Sequence, residues 1–320
     1  MKRCILIIPY FGKFNSYFHL FLHSCRNNPD FDWLIFTDDR RNFEYPDNVT
    51  VKYTTFDKIK LYIQRKFKFK IALDQPYKLC DYKIAYGDIF SEYISGYEFW
   101  GFCDTDVIFG RLNQFITDEV LDSFDKILFR GHFVLLRNSP ECRTLYRTKM
   151  KGMPVDYRFA FTTDYMCHFD EHEMWQSVTR RLGIREWRKI VYADIGCNSF
   201  SFHAVQGMCG TADQIYLYDH GAIYRFYICE GAVKKDEWAY IHLQKRRMMV
   251  ENVNDRNLYA IIPNRFTRIQ CNTDKEFIIR HSPKRVFYMV RRIERFKEII
   301  TNIKKGAIRY RIHRRMNGGI

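Results

Sequence analysis

An aromatic, apolar run that delivers two carboxylates one residue apart constrains this chain more than any other feature: Tyr97-Glu-Phe-Trp-Gly-Phe-Cys-Asp-Thr-Asp-Val-Ile-Phe-Gly110. Residues 98–103 read as a buried strand. Alternate side chains of a strand share a face, so Asp104 and Asp106 project together from its end. Two bare carboxylates that close repel each other and are costly beside a core. A hard divalent cation relieves that cost, because Mg²⁺ or Mn²⁺ takes oxygen ligands and keeps open positions for phosphate oxygens. The pair is therefore expected to bind Mn²⁺ or Mg²⁺. The competing reading is a solvated strand end, since a lone Asp-x-Asp triplet is a weak signal.

The flanking sequence has an α/β rhythm. Cys4–Ile8 is a short continuous apolar run closed by Pro9, Trp33–Phe36 is a second that ends in Thr37-Asp38-Asp39, and Val49–Tyr53 is a third candidate strand. Between the first two, Ser16–Cys25 sets Phe18, Phe21, Leu22 and Cys25 on one helical face. Unbroken apolar strands separated by a helix predict a parallel sheet buried on both faces, with ligands at the carboxyl ends of its strands. Helices are expected over 56–69, 77–90 and 113–121. Lys126–Phe129 and His132–Leu136 read as strands, with a hairpin as one arrangement. Residues 140–190 are helix-rich, 190–230 alternate like strands, and Trp238–His242 is a strand leading into Gln244-Lys-Arg-Arg247.

An apolar content of 47% and an aromatic content of 17% exclude a disordered chain. The net charge of +15 points to an anionic partner of some kind, and its placement decides which. Much of it lies in the last forty residues. There Val286, Val290, Ile293, Lys297 and Ile300 fall at helical spacing, with Phe287 and Phe296 beside them, among many Arg and Lys. A basic amphipathic helix suits the face of an anionic membrane; a helix packed on the main domain with a solvated basic face is the alternative. No apolar run approaches the length of a membrane span. The ten cysteines sit mostly in apolar or strand-like contexts, with no CxxC pair and no signal peptide, which indicates reduced thiols and a cytoplasmic protein. Two parts are expected: a catalytic domain over 1–270 and a basic helical tail over 271–320.

The stretch Tyr77-Lys-Leu-Cys-Asp-Tyr-Lys-Ile-Ala-Tyr-Gly-Asp-Ile-Phe90, followed by Phe-Trp-Gly-Phe-Cys-Asp-Thr-Asp-Val-Ile-Phe-Gly, resembles the core of GT-A-type glycosyltransferases. There, a helix bearing an Asp and a basic residue precedes a strand ending in the metal-binding Asp-x-Asp. The chain is also similar to an uncharacterised bacterial family from surface-polysaccharide synthesis, through Ile7–Lys13, Phe36–Asp39 and His242–Arg246. The likeness covers about residues 4–250.

That resemblance implies a GT-A Rossmann-like α/β/α sandwich with a mainly parallel central sheet. It implies a nucleotide-diphosphate sugar donor and a glycan or glycolipid acceptor, with the enzyme peripheral on the inner face of the cytoplasmic membrane. Pro9, Tyr10, Phe11, Asp38 and Asp39 would hold the nucleoside, although an Asp pair after a strand also makes an ordinary turn. Asp81 would accept from the ribose or base, and Lys83 would pair with the acidic residues or a phosphate; ordinary ion pairs on a solvent-facing helix are the alternative. His242 would be the third metal ligand beside Asp104 and Asp106, and Lys245 and Arg246 would neutralise the diphosphate. The alternative for that cluster is a strand-end His beside a solvated basic turn. In Thr162-Thr-Asp-Tyr-Met-Cys-His-Phe-Asp-Glu-His-Glu173, Asp170 or Glu171 would be the general base of an inverting transferase, against a capped helix start. Asn198 or Ser199 would bind sugar hydroxyls, or simply turn the chain.

Two other functions fit parts of the sequence. Asp104-Thr-Asp106 resembles the nucleophile loop of haloacid-dehalogenase-type phosphatases, but several elements precede it where that loop follows the first strand. A non-enzymatic nucleic-acid-binding protein would use the basic tail, but no nucleic-acid motif accompanies it and the acidic pair would have no role. No nucleic-acid partner is expected.

Overall fold

The computed structural model describes residues 2–171, 174–197, 199–205, 213–269, 273–282, 289–304 and 306–316. Its first strands explain why the early runs are apolar without a break. β1 (Cys4–Pro9) sends Cys4, Leu6 and Ile8 into one core and Ile5 and Ile7 into a second on the opposite face. β2 (Phe31–Thr37), β3 (Val49–Tyr53) and β4 (Phe99–Cys103) lie in the same sheet. In β4, Phe99 and Cys103 face the first core while Trp100 and Phe102 face the second. Strands buried on both faces leave no place for alternating polar residues.

β5 (Val107–Phe109) follows the acidic pair directly. β6 (Lys126–Arg130) and β7 (Phe133–Arg137) form a hairpin, and β8 (Glu186–Trp187) closes the edge of a seven-stranded sheet ordered β3-β2-β1-β4-β7-β6-β8. Pairing is parallel from β3 through β4, antiparallel at β4–β7 and β7–β6, and parallel again at β6–β8. The α/β class holds, and the central sheet, with four parallel pairings, is made mixed by two antiparallel ones. The physical reason is the two-residue link Gly131-His132, which permits a hairpin and is far too short for a parallel crossover.

β9 (Tyr192–Asp194) precedes an antiparallel run of β10 (Gln214–Asp219), β11 (Ala222–Cys229) and β12 (Ala232–Trp238). β13 (Tyr240–His242) then returns to the acidic pair, antiparallel to β5 and parallel to β9. Trp238 and His242 thus belong to different sheets, and the chain crosses between them at Ala239, whose N–H donates to Val191 and whose carbonyl accepts from Gly110. β14 (Met249–Glu251), β15 (Leu258–Ile262) and β16 (Arg265–Thr267) complete a six-stranded sheet, and the sequence reading anticipates none of these three strands.

The helix Phe18–Arg26 buries Phe18, Phe21, Leu22 and Cys25 as their spacing predicts. The next, Phe56–Gln64, ends short of Phe69 because the Gln64 amide turns onto the carbonyls of Phe67 and Phe69 and its oxygen accepts from Ile71. Residues Pro76–Ala85 wind as a 3₁₀ helix, with an α turn only at Tyr86–Ile89. In the tighter winding, residues three apart eclipse, which sets Lys78 beside Asp81 at 2.6 Å. Beyond residue 270, the helix Lys275–His281 packs on the six-stranded sheet through buried Ile278, and two more helices follow, Met289–Lys304 and Ala307–Met316. Among the described residues, no helix is long and apolar enough to cross a membrane.

Candidate metal and donor site

Strand order reverses between β1 and β4: the chain steps outward from β1 to β2 and β3, then returns to β1's other side. The crevice outside the carboxyl ends of two such strands is where open α/β sheets gather ligands. Here it is walled by the loop after β1 and by the Asp104–Asp106 loop after β4. Asn15 ties the two together, its amide donating to the Thr105 carbonyl at 3.0 Å.

Strand register supplies the third residue. β13 runs between β5 and β9, which aligns His242 with Val107 on one side and with Asp194 on the other. His242 Nε2 sits 3.3 Å from Asp106 Oδ1 and 3.9 Å from Asp104 Oδ2. One ligand atom from each of the three lies within 4.8 Å of the others. Bond lengths of about 2.0–2.1 Å put neighbouring ligands of an octahedral Mg²⁺ roughly 3 Å apart and opposite ones roughly 4 Å apart. The triad is therefore a small closing movement away from chelation.

The charges fit the same use. Burial disfavours a charged His242, but Asp106, Asp194 and Asp104 push its pKa up to about 10. Burial also opposes ionisation of Asp106, yet His242 and the Lys245 N–H hold it down to about 2. The acidic pair thus already draws a positive charge from the protein, and a divalent cation supplies that charge more fully. His242 Nδ1 meets Asp194 Oδ1 at 2.8 Å, which aims Nε2 at the pair; Gln244 donates to the same oxygen at 2.7 Å. A carboxylate behind a histidine in this way orients metal-binding imidazoles.

His132 lies beneath, its ring 4.4 Å from that of His242. Burial and the His242 charge press its pKa well below the usual histidine range, so it stays neutral. Its Nδ1 meets Tyr240 at 3.1 Å, while its Nε2 finds no hydrogen-bond partner among the described residues and stands 4.0 Å from Asp194. The turn after β13 is held in an uncommon conformation, with Gln244 at φ 44° and Lys245 at φ 59°. Asp106 anchors it: its carbonyl accepts from Leu243 at 2.9 Å and its carboxylate from the Lys245 N–H at 2.6 Å.

The other expected site residues divide. Pro9, Tyr10 and Phe11 line the crevice loop; Tyr10 hydrogen-bonds the Lys13 carbonyl and stacks on Phe14, while Phe11 is buried against Phe56. Asp38 is exposed at the end of β2 and accepts from the Gly12 N–H at 2.8 Å. Asp39 is turned inward, bound by Arg41 and by the Phe14 N–H, so it shapes the loop rather than facing a ligand. Asp81 is fully buried; it pairs with Lys78 and accepts from the Cys167 and Phe169 N–H groups, so both of its oxygens are engaged inside the protein. Lys83 does not stand free for a phosphate: it meets Asp104 at 2.6 Å and the Gly131 carbonyl at 2.8 Å. Burial acts against its charge, but Asp104 and Asp170 keep it protonated.

Asp170 is buried 3.8 Å behind Lys83, and burial pushes its pKa up to about 8. A Cβ at Gly131 would lie 2.3 Å from its oxygen, which is why a glycine stands there. Glu171 accepts from the Gly131 N–H at 2.8 Å. Lys245 keeps an exposed ammonium that meets the Tyr77 hydroxyl at 2.6 Å. Arg246 is the clearest departure: it is buried, and its guanidinium clamps the carbonyls of Gly196, Ser199 and Phe200. Ser199 donates to the Ser201 carbonyl. His172, Glu173 and Asn198 lie outside the described residues. Asp194, His132 and Asn15 were not anticipated as parts of the site. For Asp194 a signal exists, since Val191-Tyr-Ala-Asp repeats the pattern of an apolar strand ending in Asp.

The model of a family of unknown function, DUF6625, matches residues 6–270. The chain belongs to this family. The matched span contains every residue of the acidic site and its supports, and it stops before the last two helices. No curated protein matches the chain.

Proposed function

We propose that this chain is a metal-dependent glycosyltransferase of GT-A type. It moves a sugar from a nucleotide-diphosphate donor to a hydroxyl of a glycan or glycolipid acceptor in surface-polysaccharide or lipopolysaccharide assembly. The observation that carries the reading is the convergence of Asp104, Asp106 and His242 at the crevice where strand order reverses. Those three residues would hold Mn²⁺ or Mg²⁺, which when bound neutralises the departing pyrophosphate.

The protein's own groups set up that step. Lys83 fixes one oxygen of Asp104 and leaves the other directed toward His242. Asp194 fixes the His242 ring. Lys245, on the strained turn, offers an exposed ammonium to donor phosphates. Pro9, Tyr10 and the exposed Asp38 would face the nucleoside side of the crevice, with Phe11 anchoring the loop in the core. Asp170 acts through Lys83 as a positioning residue, and we assign it no proton transfer.

Release of nucleoside diphosphate from a panel of UDP-, GDP- and dTDP-sugars tests this reading. One donor class should turn over slowly with Mn²⁺, stop with a chelator, and fail in a folded Asp106→Asn protein. Release of inorganic phosphate from phosphomonoesters, with no donor turned over, would instead favour the phosphatase chemistry of an Asp nucleophile.

A further inference from the structure

We propose that the last two helices form a membrane-docking surface that seats on an anionic lipid bilayer. The helix Ala307–Met316 is turned the wrong way round for ordinary packing. Its inner side carries Tyr310, whose hydroxyl donates to the Cys167 carbonyl at 3.2 Å, and His313, stacked on Phe159 at 3.8 Å. Its outer side carries Ile308, Ile312 and Met316, spaced four apart and 56%, 52% and 81% exposed. An amphipathic helix on a globular protein normally turns such a stripe toward the core.

The preceding helix repeats the pattern. Ile293, Phe296, Ile300 and Ile303 fall at helical spacing on Met289–Lys304, and all four are exposed, Phe296 most of all. Single exposed apolar residues need no explanation, but stripes on two successive helices mark an interaction face.

Charge selects the occupant. Residues 281–320 hold twelve Lys and Arg against two Glu. Lys297, Lys304, Arg309 and Arg311 are exposed on the same two helices. A bilayer satisfies both features at once, with apolar side chains at the acyl boundary and cations at anionic headgroups. A second copy of the chain would set these like charges against each other, so a self-association interface fits the surface less well.

The face is also tied to the crevice. Tyr310 holds the Cys167 carbonyl, and the Cys167 N–H is held by Asp81 in the same 3₁₀ helix that presents Lys83 to Asp104. Docking through these helices fixes how the crevice stands over the membrane. The docking itself does not depend on the reaction assigned above.

The test is co-sedimentation of the full chain with vesicles of phosphatidylcholine alone or with added phosphatidylglycerol. Two variants are compared, Ile308→Glu with Ile312→Glu, and Phe296→Glu with Ile300→Glu; the altered positions are exposed, and circular dichroism and melting check the fold. The parent should prefer phosphatidylglycerol vesicles severalfold, and each variant should lose at least roughly tenfold in partitioning. Three results would overturn the proposal. One is a parent that does not sediment with either vesicle. Another is folded variants that sediment as well as the parent. The third is a parent dimer in light scattering that these same substitutions dissociate.

Discussion

Replacing Asp194 by Asn isolates the support behind His242 from the metal ligands themselves. Asp194 meets His242 Nδ1 at 2.8 Å and Gln244 at 2.7 Å, behind the ring rather than among the three proposed ligands. Asn has nearly the same shape and keeps one acceptor oxygen, so the fold should persist. What goes is the charge assistance of the imidazole hydrogen bond. Hydrogen bonds to charged groups are worth about 1.5–3 kcal/mol net. Loss of such a support behind a metal-bound histidine lowers affinity by about 10–100-fold, or about 1.4–2.7 kcal/mol, which agrees with that range. Calorimetric titration with Mn²⁺ at fixed pH should therefore show an affinity about 10–100-fold weaker in Asp194→Asn, with a melting temperature close to the parent's. A folded variant that binds Mn²⁺ within about twofold of the parent would refute the reasoning, because the ring would then need no anchor.

Three further outcomes follow from particular contacts. Lys83→Met leaves Asp104, Asp170 and the Gly131 carbonyl without their shared cation; removing one partner of a buried pair should lower stability by about 3 kcal/mol in urea unfolding, and a loss below about 1 kcal/mol would show the pair to be dispensable. Burial works against ionised Asp125, but Arg185 and Arg137 hold its pKa down to about 2, below the ordinary 3.8. That depressed value makes its contribution complete above about pH 4 and lost as pH falls toward about 2, so the urea midpoint of the parent should drop more steeply across this window than that of Asp125→Asn. Gly101→Ala places a Cβ 2.1 Å from the Val134 carbonyl and 2.9 Å from Leu135, across the β4–β7 pair; a loss of about 3 kcal/mol or more is expected, and an unchanged melting temperature would contradict that register.

How much of this was legible in the sequence depends on the range of the interaction. β1, β2 and β4 announced themselves because burial on both faces leaves nearly unbroken apolar runs, and the acidic pair stands where such a run ends. The β6–β7 hairpin was legible as well, since Gly131-His132 allows little else. Lys83 beside Asp104 was one of the alternatives raised, and the spacing of an i, i+3 pair within residues 76–85 depends only on local winding. The misplacements arise from contacts across the chain. Arg246 looks like a phosphate ligand because it follows His242 and Lys245, but its partners Gly196, Ser199 and Phe200 lie some fifty residues earlier, and nothing local names them. Asp81 was read as a ligand contact from the resemblance; its partners, the Cys167 and Phe169 N–H groups, lie in another segment that nothing local names. Asp194 escaped notice for the same reason, since only the β13–β9 register sets it against His242. The six-stranded sheet was legible only in its first strands, as the alternation over 190–230; β12 is exposed over its first four residues, and β14 and β16 are only three residues long. In the tail, the helical periodicity around Ile293 and Ile300 was readable, whereas the outward turn of Ile308 and Ile312 was not; Val286 and Phe287 lie outside the described residues.

The most direct measurement is anomalous diffraction at the manganese edge from crystals grown with Mn²⁺ and a nucleoside diphosphate. The account predicts one strong peak bonded to Asp106 and His242, with Asp104 beside it and diphosphate oxygens completing the shell. A nucleotide seated elsewhere, or a crevice between β1 and β4 with no anomalous peak at saturating Mn²⁺, would contradict it.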